Sequence, residues 1–466
     1  MTQRPSIQDE DGLRLNTDAR NVDGFLALRY QANGGAWASF SGSSFVAERG
    51  IGAELGADDG DARFWRYPHV ARTIGVLSAG TGHHRSPFGG VGDVEASLGV
   101  DVGRSEIDAF SSADYDELDS FEDGEDRTLT LRLLADQSLG DPRDLRAAFT
   151  VSEIRHDEFL PDGDSRYRQR LWSGGLEHVW RFTGAVPGTR ELSWSTGVAY
   201  DVAETRQSAG REPLDRIGLI GARVGFSAPL RDGNTVLHAG ASRRGRFPSL
   251  RELYSGALDR FEPNPNLEAE KVIATEIGVT RAFERAEVQL TGFHHRVDDA
   301  VVRITLPDRK FQRVNRNELR STGLEMLGRY SVGAVDLDGT LQLQRVRPTD
   351  TEADDTGRPE NLPAVSGGMG FRWRAPARLV ASTSVDYTGD QFALDLVTGD
   401  DAELEGAAIW DLSVSRAWGI PSSFGDRAFT TAEFRVSIDN VLDEALYDSI
   451  GLPQPGRRAR FELQLR

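Results

Sequence analysis

The chain has 466 residues, with 54 basic against 73 acidic side chains for a formal net charge of −19, and 38% of its residues are apolar. That balance argues against a nucleic-acid partner, which requires a basic face to displace counterions from phosphates. No stretch approaches the ~18 consecutive apolar residues of a membrane-spanning helix. The absence of cysteine removes disulfides, thiolate metal sites and cysteine nucleophiles.

Period-2 alternation recurs from end to end and predicts an all-β chain. In chain order, strands are expected at 22–32, 35–48, 72–82, 92–110, 127–138, 145–159, 167–183, 190–206, 215–230 and 235–246. They continue at 268–283, 286–304, 310–331, 336–349, 362–375, 378–396, 407–418, 428–441 and 457–466, nineteen in all. Many exceed the ~5–6 residues usual in globular sheets and suit a tilted membrane strand. The alternation assigns faces. Leu129, Leu131, Leu133, Leu341, Leu343, Phe461, Leu463 and Leu465 are expected outward, and Arg132, Gln342, Glu433, Arg435 and Glu462 inward. A charge on the lipid face costs about 2–4 kcal/mol at the midplane.

The connections alternate in length. Asn33-Gly34-Gly35, Gly140-Asp141-Pro142-Arg143, Arg231-Asp232-Gly233-Asn234 and Ser331-Val332-Gly333-Ala334 read as tight turns. Between them lie polar links at 49–71, 111–126, 247–267, 350–361, 397–406 and 442–456. Sorting by parity is the pattern of an outer-membrane barrel, with short periplasmic turns and long extracellular loops. The expected topology therefore puts 111–126 and 247–267 at one rim and 140–144 and 231–234 at the other. The links 83–91 and 419–427 are long for the periplasmic side. Tyr30, Trp180, Phe182, Phe226, Phe283, Tyr330, Trp373 and Trp418 fall near the short turns, where amphipathic rings suit the headgroup level.

Enzymatic constellations are scarce. No phosphate loop, HExxH helix, complete EF-hand loop or GxSxG elbow occurs, so neither an enzyme nor a cofactor is expected. His83-His84 and His294-His295 are adjacent pairs whose members point to opposite strand faces, which disfavours chelation. The segment with Asp114, Asp116, Glu117, Asp119, Glu122, Asp123, Glu125 and Asp126 could hold Ca²⁺ through carboxylate oxygens, or could be a solvated charged face.

Three segments carry a family resemblance. Arg246-Phe247-Pro248-Ser249-Leu250-Arg251-Glu252-Leu253-Tyr254 resembles the FRAPSLxELY stretch of TonB-dependent outer-membrane receptors. Asn264-Pro265-Asn266-Leu267-Glu268-Ala269-Glu270 is similar to their NPxLxPE motif, with Ala269 in place of the usual proline. Asp439-Asn440-Val441-Leu442-Asp443, Tyr447 and Pro455-Gly456-Arg457 resemble the family's NLFDxxY…PGR ending, although Arg466 stands where an aromatic residue is usual.

The resemblance implies a transmembrane antiparallel barrel of roughly 22 strands, its lumen filled by an N-terminal plug. This chain is expected to supply about 19 of them, with 1–21 as the remnant of an extracellular loop and 22–466 as the barrel domain. No plug-like sequence, coupling box or signal peptide is recognised in it, so an incomplete receptor is expected, with irregular pairing between first and last strands. The resemblance further implies import of a scarce ligand (a metal chelate, corrinoid or glycan) across the outer membrane of a Gram-negative-type bacterium. The partners implied are outer-membrane lipid, an extracellular small-molecule ligand, and the TonB energy-transducing complex through a plug. A plugless, porin-like passive channel is the alternative. Arg243, Arg244, Arg246 and Arg251, with Tyr254 and Phe261, lie where the family has its extracellular mouth. There they could contact an anionic or chelated ligand, or pair with plug or barrel carboxylates.

Overall fold

The computed structural model describes residues 2–465 apart from 4–6, 10–11, 14, 56–61, 87–88, 141, 162, 184–187, 257, 259, 309, 350–359, 396–400 and 420–429. Among the described residues one sheet holds 22 strands, of which Thr2–Gln3, His84–Arg85 and Phe261–Glu262 are two-residue additions. The remaining nineteen form a continuous antiparallel wall. In chain order they are β1 Ala19–Gln31, β2 Trp37–Ile51, β3 Phe64–Gly80, β4 Val91–Phe110, β5 Leu118–Ser138, β6 Arg143–Leu160 and β7 Gly163–Thr183. Next come β8 Glu191–Ser208, β9 Ile217–Pro229, β10 Thr235–Arg246, β11 Glu270–Ala282, β12 Ala286–Thr305 and β13 Phe311–Val332. The wall ends with β14 Val335–Pro348, β15 Val365–Ala375, β16 Leu379–Thr388, β17 Ala407–Gly419, β18 Thr431–Asp439 and β19 Arg458–Leu465.

The alternation of the sequence becomes two faces. Leu131 pairs with Leu98 and Val151, whereas Arg132 pairs with Ser97 and Thr150. Leu341 and Leu343 lie opposite Met326 and Leu324, all exposed, and Gln342 opposite Glu325 and Ser366. On the last strands Phe461 and Leu463 join Val436 and Phe434 on the apolar face, while Glu462 joins Arg435. An aromatic row closes the lipid band beside the short turns: Trp180 lies opposite Trp194, and Trp194 opposite Phe226. Trp373, Tyr330 and Trp418 are likewise exposed.

Wall height is uneven. β13 has 22 residues and β5 and β7 have 21 each, roughly 70 Å at about 3.3 Å per residue. A membrane's apolar band needs only about 25 Å. On β5 the outward series Leu133, Leu131, Leu129 turns charged at Arg127, Glu125 and Asp123, so the strand continues above the lipid. The loop expected at 111–126 is therefore confined to 111–117. Residues 118–126 pair with β4, and 123–126 also with β6, where outward ion pairs such as Arg104–Asp123 across to β4 (2.8 Å) and Arg127–Glu125 along β5 (2.9 Å) make a charged strand stable in water.

Short turns occupy one rim. Between β13 and β14, Val332 pairs with Val335 across Gly333, whose φ of +59° is the left-handed conformation that glycine adopts without strain. The longer link 81–90 folds His84–Arg85 against Val91 and Gly92; the other long link, 419–427, lies almost wholly outside the described residues. The long loops share the opposite rim, where the Leu55 amide donates to Gly451 (2.9 Å) and Arg251 meets Glu122.

Every wall strand is paired with its successor, but the ladder does not close by register. β1 and β19 are neighbours in the order round the sheet, yet no residue-by-residue register joins them among the described residues. From Val22 to Gln31 every residue is exposed, and in β19 only Gln464 is partly covered. Phe25 (74% exposed) and Phe461 (72%) flank this seam.

Candidate functional site

The tall walls of β5–β8 need cover on their inner face above the membrane, and the segment between β10 and β11 supplies it. After Arg246 the chain turns into the lumen through Pro248, and Ser249 starts a single helical turn, α1 Leu250–Tyr254. The Ser249 hydroxyl caps the Glu252 amide, and the Glu252 carboxylate accepts from the Ser249 amide at 2.8 Å. This reciprocal cap satisfies donors that a short helix would leave open.

One face of α1 is apolar. Leu250, Leu253 and Tyr254 are buried with Tyr167, Leu214 and Leu267, the main apolar core of a molecule whose wall otherwise faces lipid and lumen. Tyr254 stacks on Tyr167 with centroids 5.6 Å apart, and Tyr167 stacks on His156 at 6.0 Å. The Leu214 amide donates to the Tyr254 hydroxyl (2.8 Å), and Gln169 donates to the Pro248 carbonyl (3.2 Å).

Charged groups sit beneath this column. His156 contacts Asp126 (2.8 Å) and Glu158 (3.3 Å), and Ser255 donates to Glu158. Burial opposes the charged imidazole, but hydrogen bonds to the two carboxylates prevail and raise the His156 pKa to about 9. Burial likewise works against ionised Glu158, yet bonds from His156 and Ser255 hold its pKa below the usual range. Glu122 is raised by burial, with Arg251 opposing.

The expected contact residues divide. Tyr254 is fully buried and anchors the segment. Arg251 pairs with Glu122, and Arg246 with Glu252 (2.8 Å) and Glu270, as in the carboxylate-pairing reading. Arg244 has no carboxylate at ion-pair distance among the described residues. It lines a concave inner-wall volume of about 840 Å³ with Arg132, Arg146, Glu177 and Arg223. Arg243 lies on the other face, opposite Ile273.

Phe261 leaves the packed core and joins a second cluster. It pairs with Phe311 in a short parallel ladder, ring centroids 5.5 Å apart, and Arg313 lies 4.3 Å from its ring. Arg260 bridges Phe311 (5.6 Å) and Trp65 (5.4 Å), so the segment reaches from the β10 side of the barrel to β3 and back to β13. Arg303 stands over Phe311 (4.8 Å) and Arg63 over Trp65 (5.2 Å). Sequence reasoning missed Arg63, Trp65, Arg260, Arg303, Phe311 and Arg313. The only local signal was arginine beside an aromatic residue at several strand ends; what joins them is separated by up to hundreds of residues.

Among the acidic residues weighed for Ca²⁺, strand alternation sends Glu122 and Asp126 inward and Asp123 and Glu125 outward. Among the described residues no three His, Asp or Glu side chains come together to hold a metal ion.

A family model described as TonB dependent receptor-like, beta-barrel, matches residues 3–441. No curated protein matches the sequence. Similar solved structures include the copper transporter OprC, 15% identical with a TM-score of 0.75, covering 98% of this chain and 73% of that one. The FrpB iron transporter from Neisseria meningitidis (F5-1 variant) is 12% identical with a TM-score of 0.75, covering 99% and 76%. A Serratia marcescens hemophore receptor HasR, solved with its hemophore HasA and heme, is 14% identical with a TM-score of 0.69, covering 99% and 74%. At these identities the likeness is one of fold.

Proposed function

This chain belongs to the TonB-dependent receptor β-barrel family, and we propose on that premise that it captures a scarce, metal-bearing compound outside the cell for energy-driven import. Members of the family are outer-membrane receptors and transporters, not enzymes. The observation that carries the finer reading is the 247–269 segment. It is stitched by Arg251–Glu122, Tyr254–Tyr167 and Arg260–Trp65 across the inside of the extracellular mouth, where it presents arginine and aromatic groups. Such an arrangement favours selective capture over free diffusion, and so a receptor over a passive channel. The neighbours described as copper transporter, iron transporter and hemophore receptor support a metal-bearing cargo.

Coupling to TonB, on this reading, runs through a plug whose polar groups would satisfy the charged inner wall. The test is deletion of the gene in its host, followed by uptake of labelled iron chelates, copper and heme with and without a protonophore. Selective loss of one energy-dependent uptake is expected; unchanged uptake of all three would refute the proposed cargo class.

A further inference from the structure

On the outer face of the wall, above the lipid band, outward arginines around β5 have carboxylate neighbours. Arg104 meets Asp123 and Glu106, Arg155 meets Asp157, and Arg168 and Arg170 share Glu153. On β10–β14 the ladder instead sets arginine against arginine. Arg296 of β12 stands directly opposite Arg320 of β13, and Arg320 directly opposite Arg347 of β14. Ile273 of β11 continues the row beside Arg296, and Arg243 of β10 ends it. Arg345, two residues from Arg347 on the same face, is exposed as the other arginines of the row are.

Like charges directly opposite one another destabilise a sheet, so the row calls for compensation. Asp298 meets Arg296 (2.7 Å), and Glu318 meets both Arg296 (2.7 Å) and Arg320. Among the described residues no carboxylate forms an ion pair with Arg243, Arg345 or Arg347. Five arginines thus share two carboxylates in a chain whose net charge is −19.

Height in the wall indicates what covers them. Leu324 and Leu343 face each other as the last apolar pair of β13 and β14 before the extracellular side. Arg345 lies two residues from Leu343 and Arg320 four from Leu324, roughly 7 and 13 Å along strands that rise about 3.3 Å per residue. With a tilt of about 40°, both side chains reach the headgroup layer, which adds roughly 5–8 Å to each side of the hydrocarbon. The arginines begin where the leucines stop, which favours a lipid over a protein partner. Neighbouring strands are only about 4.8 Å apart, so guanidinium forks from three strands converge on the groups of one lipid.

We propose that Arg296, Arg320, Arg345 and Arg347, flanked by Arg243, hold the phosphate groups of a phosphorylated glycolipid of the outer leaflet, whose acyl chains lie along Leu343 and Met326. Guanidinium binds phosphate bidentately, and phosphate supplies the negative charge that the row lacks. The site is on the lipid side of the barrel and is independent of the cargo.

The probe is deep-rough lipopolysaccharide, compared with its enzymatically dephosphorylated form, added to the delipidated full chain in detergent and read by native mass spectrometry. Stoichiometric retention of the phosphorylated form is expected, about tenfold stronger than that of the dephosphorylated one. Arg320→Gln with Arg347→Gln should weaken retention by about tenfold, and Arg320→Lys with Arg347→Lys less, because the charge is kept. Arg127→Gln, outward on β5 and paired with Glu125, should leave retention nearly unchanged. Without glycolipid, the double glutamine variant should be at least as heat-stable as the parent, because the opposed charges are gone. Only the parent should gain stability when glycolipid is added, and heat-modifiable gel mobility reads both. Equal retention of the dephosphorylated form, unchanged retention in the folded glutamine variant, an equal loss in Arg127→Gln, or displacement by equimolar inorganic phosphate would overturn the proposal.

Discussion

The ring of Tyr254 lies flat on that of Tyr167, with centroids 5.6 Å apart and planes within 6°, and the Tyr254 hydroxyl accepts the buried amide of Leu214. A residue that the sequence places at a ligand-facing mouth is thus the anchor that seats the 247–269 segment against β7. Tyr254→Phe should cost about 1–3 kcal/mol, because the Leu214 amide loses its acceptor. Tyr254→Ala should cost about 3–5 kcal/mol through the cavity it leaves. Limited proteolysis within 247–269 reads both, with the barrel itself still resistant.

Arg251 and Glu122 couple the same segment to β5. Glu122 is 3% exposed and Arg251 45%, and Glu122 Oε2 has no hydrogen-bond partner. Removing the arginine alone strands a buried carboxylate. Arg251→Met is expected to destabilise the seated segment by about 2–3 kcal/mol, below the range for a fully buried pair because the arginine is half solvated. Adding Glu122→Gln should recover most of that loss. A double-mutant cycle on proteolytic half-life decides it, and additive losses would show that the two side chains act independently.

The seating should depend on pH with two limbs. His156 has its pKa raised from 6.5 to about 9, so its contribution is full below about pH 6.5 and fades as pH rises through about 9. Asp126 and Glu158 are depressed, so their contribution is present above the ordinary carboxylate range and is lost as pH falls through their folded values. Protection of 247–269 should therefore peak between about pH 5 and pH 7. His156→Phe should remove the alkaline limb while the acid limb weakens with its partner gone. A flat profile in the wild type would refute the linkage.

Leu131 and Arg132 test the faces. Leu131→Arg places a charge in lipid and should cost about 2–4 kcal/mol, whereas Arg132→Leu, facing the lumen, should change stability far less. Folding into lipid vesicles, read as the fraction of heat-modifiable barrel, compares them. Equal losses would mean that the register is shifted.

The seam between β1 and β19 predicts a pattern of hydrogen exchange for residues 1–466 in detergent. Amides on the seam edges of Asn21–Gln31 and Arg458–Leu465, where no register is seen among the described residues, should exchange far faster than those of Leu129–Leu133, which are paired on both sides. Uniform protection would show that the two edges close on each other.

The barrel was legible because lipid imposes a rule on every second residue. A strand between hydrocarbon and lumen must alternate, as Leu129–Leu133 and Phe461–Leu465 do, and each hairpin requires a local turn such as Val332–Gly333–Ala334–Val335. These are constraints between near neighbours, so a single sequence carries them and yields nineteen strands and their facing. Above the membrane the rule lapses. Residues 118–126 read as an acidic loop because water, not lipid, meets their outward face; ion pairs with β4 and β6 keep them in the sheet.

The mouth was decided only by the tertiary structure. Arg251 finds Glu122 across 129 residues of sequence, and Arg260 meets both Trp65 and Phe311. Burial and charge balance depend on such distant partners: Tyr254 is sealed because Tyr167 and Leu214 surround it, and among the described residues no carboxylate forms an ion pair with Arg260, which instead lies against Trp65 and Phe311. Residue type and spacing marked 247–269 as the segment that matters. Which of its side chains anchor it follows from the three-dimensional neighbours that set packing and electrostatics.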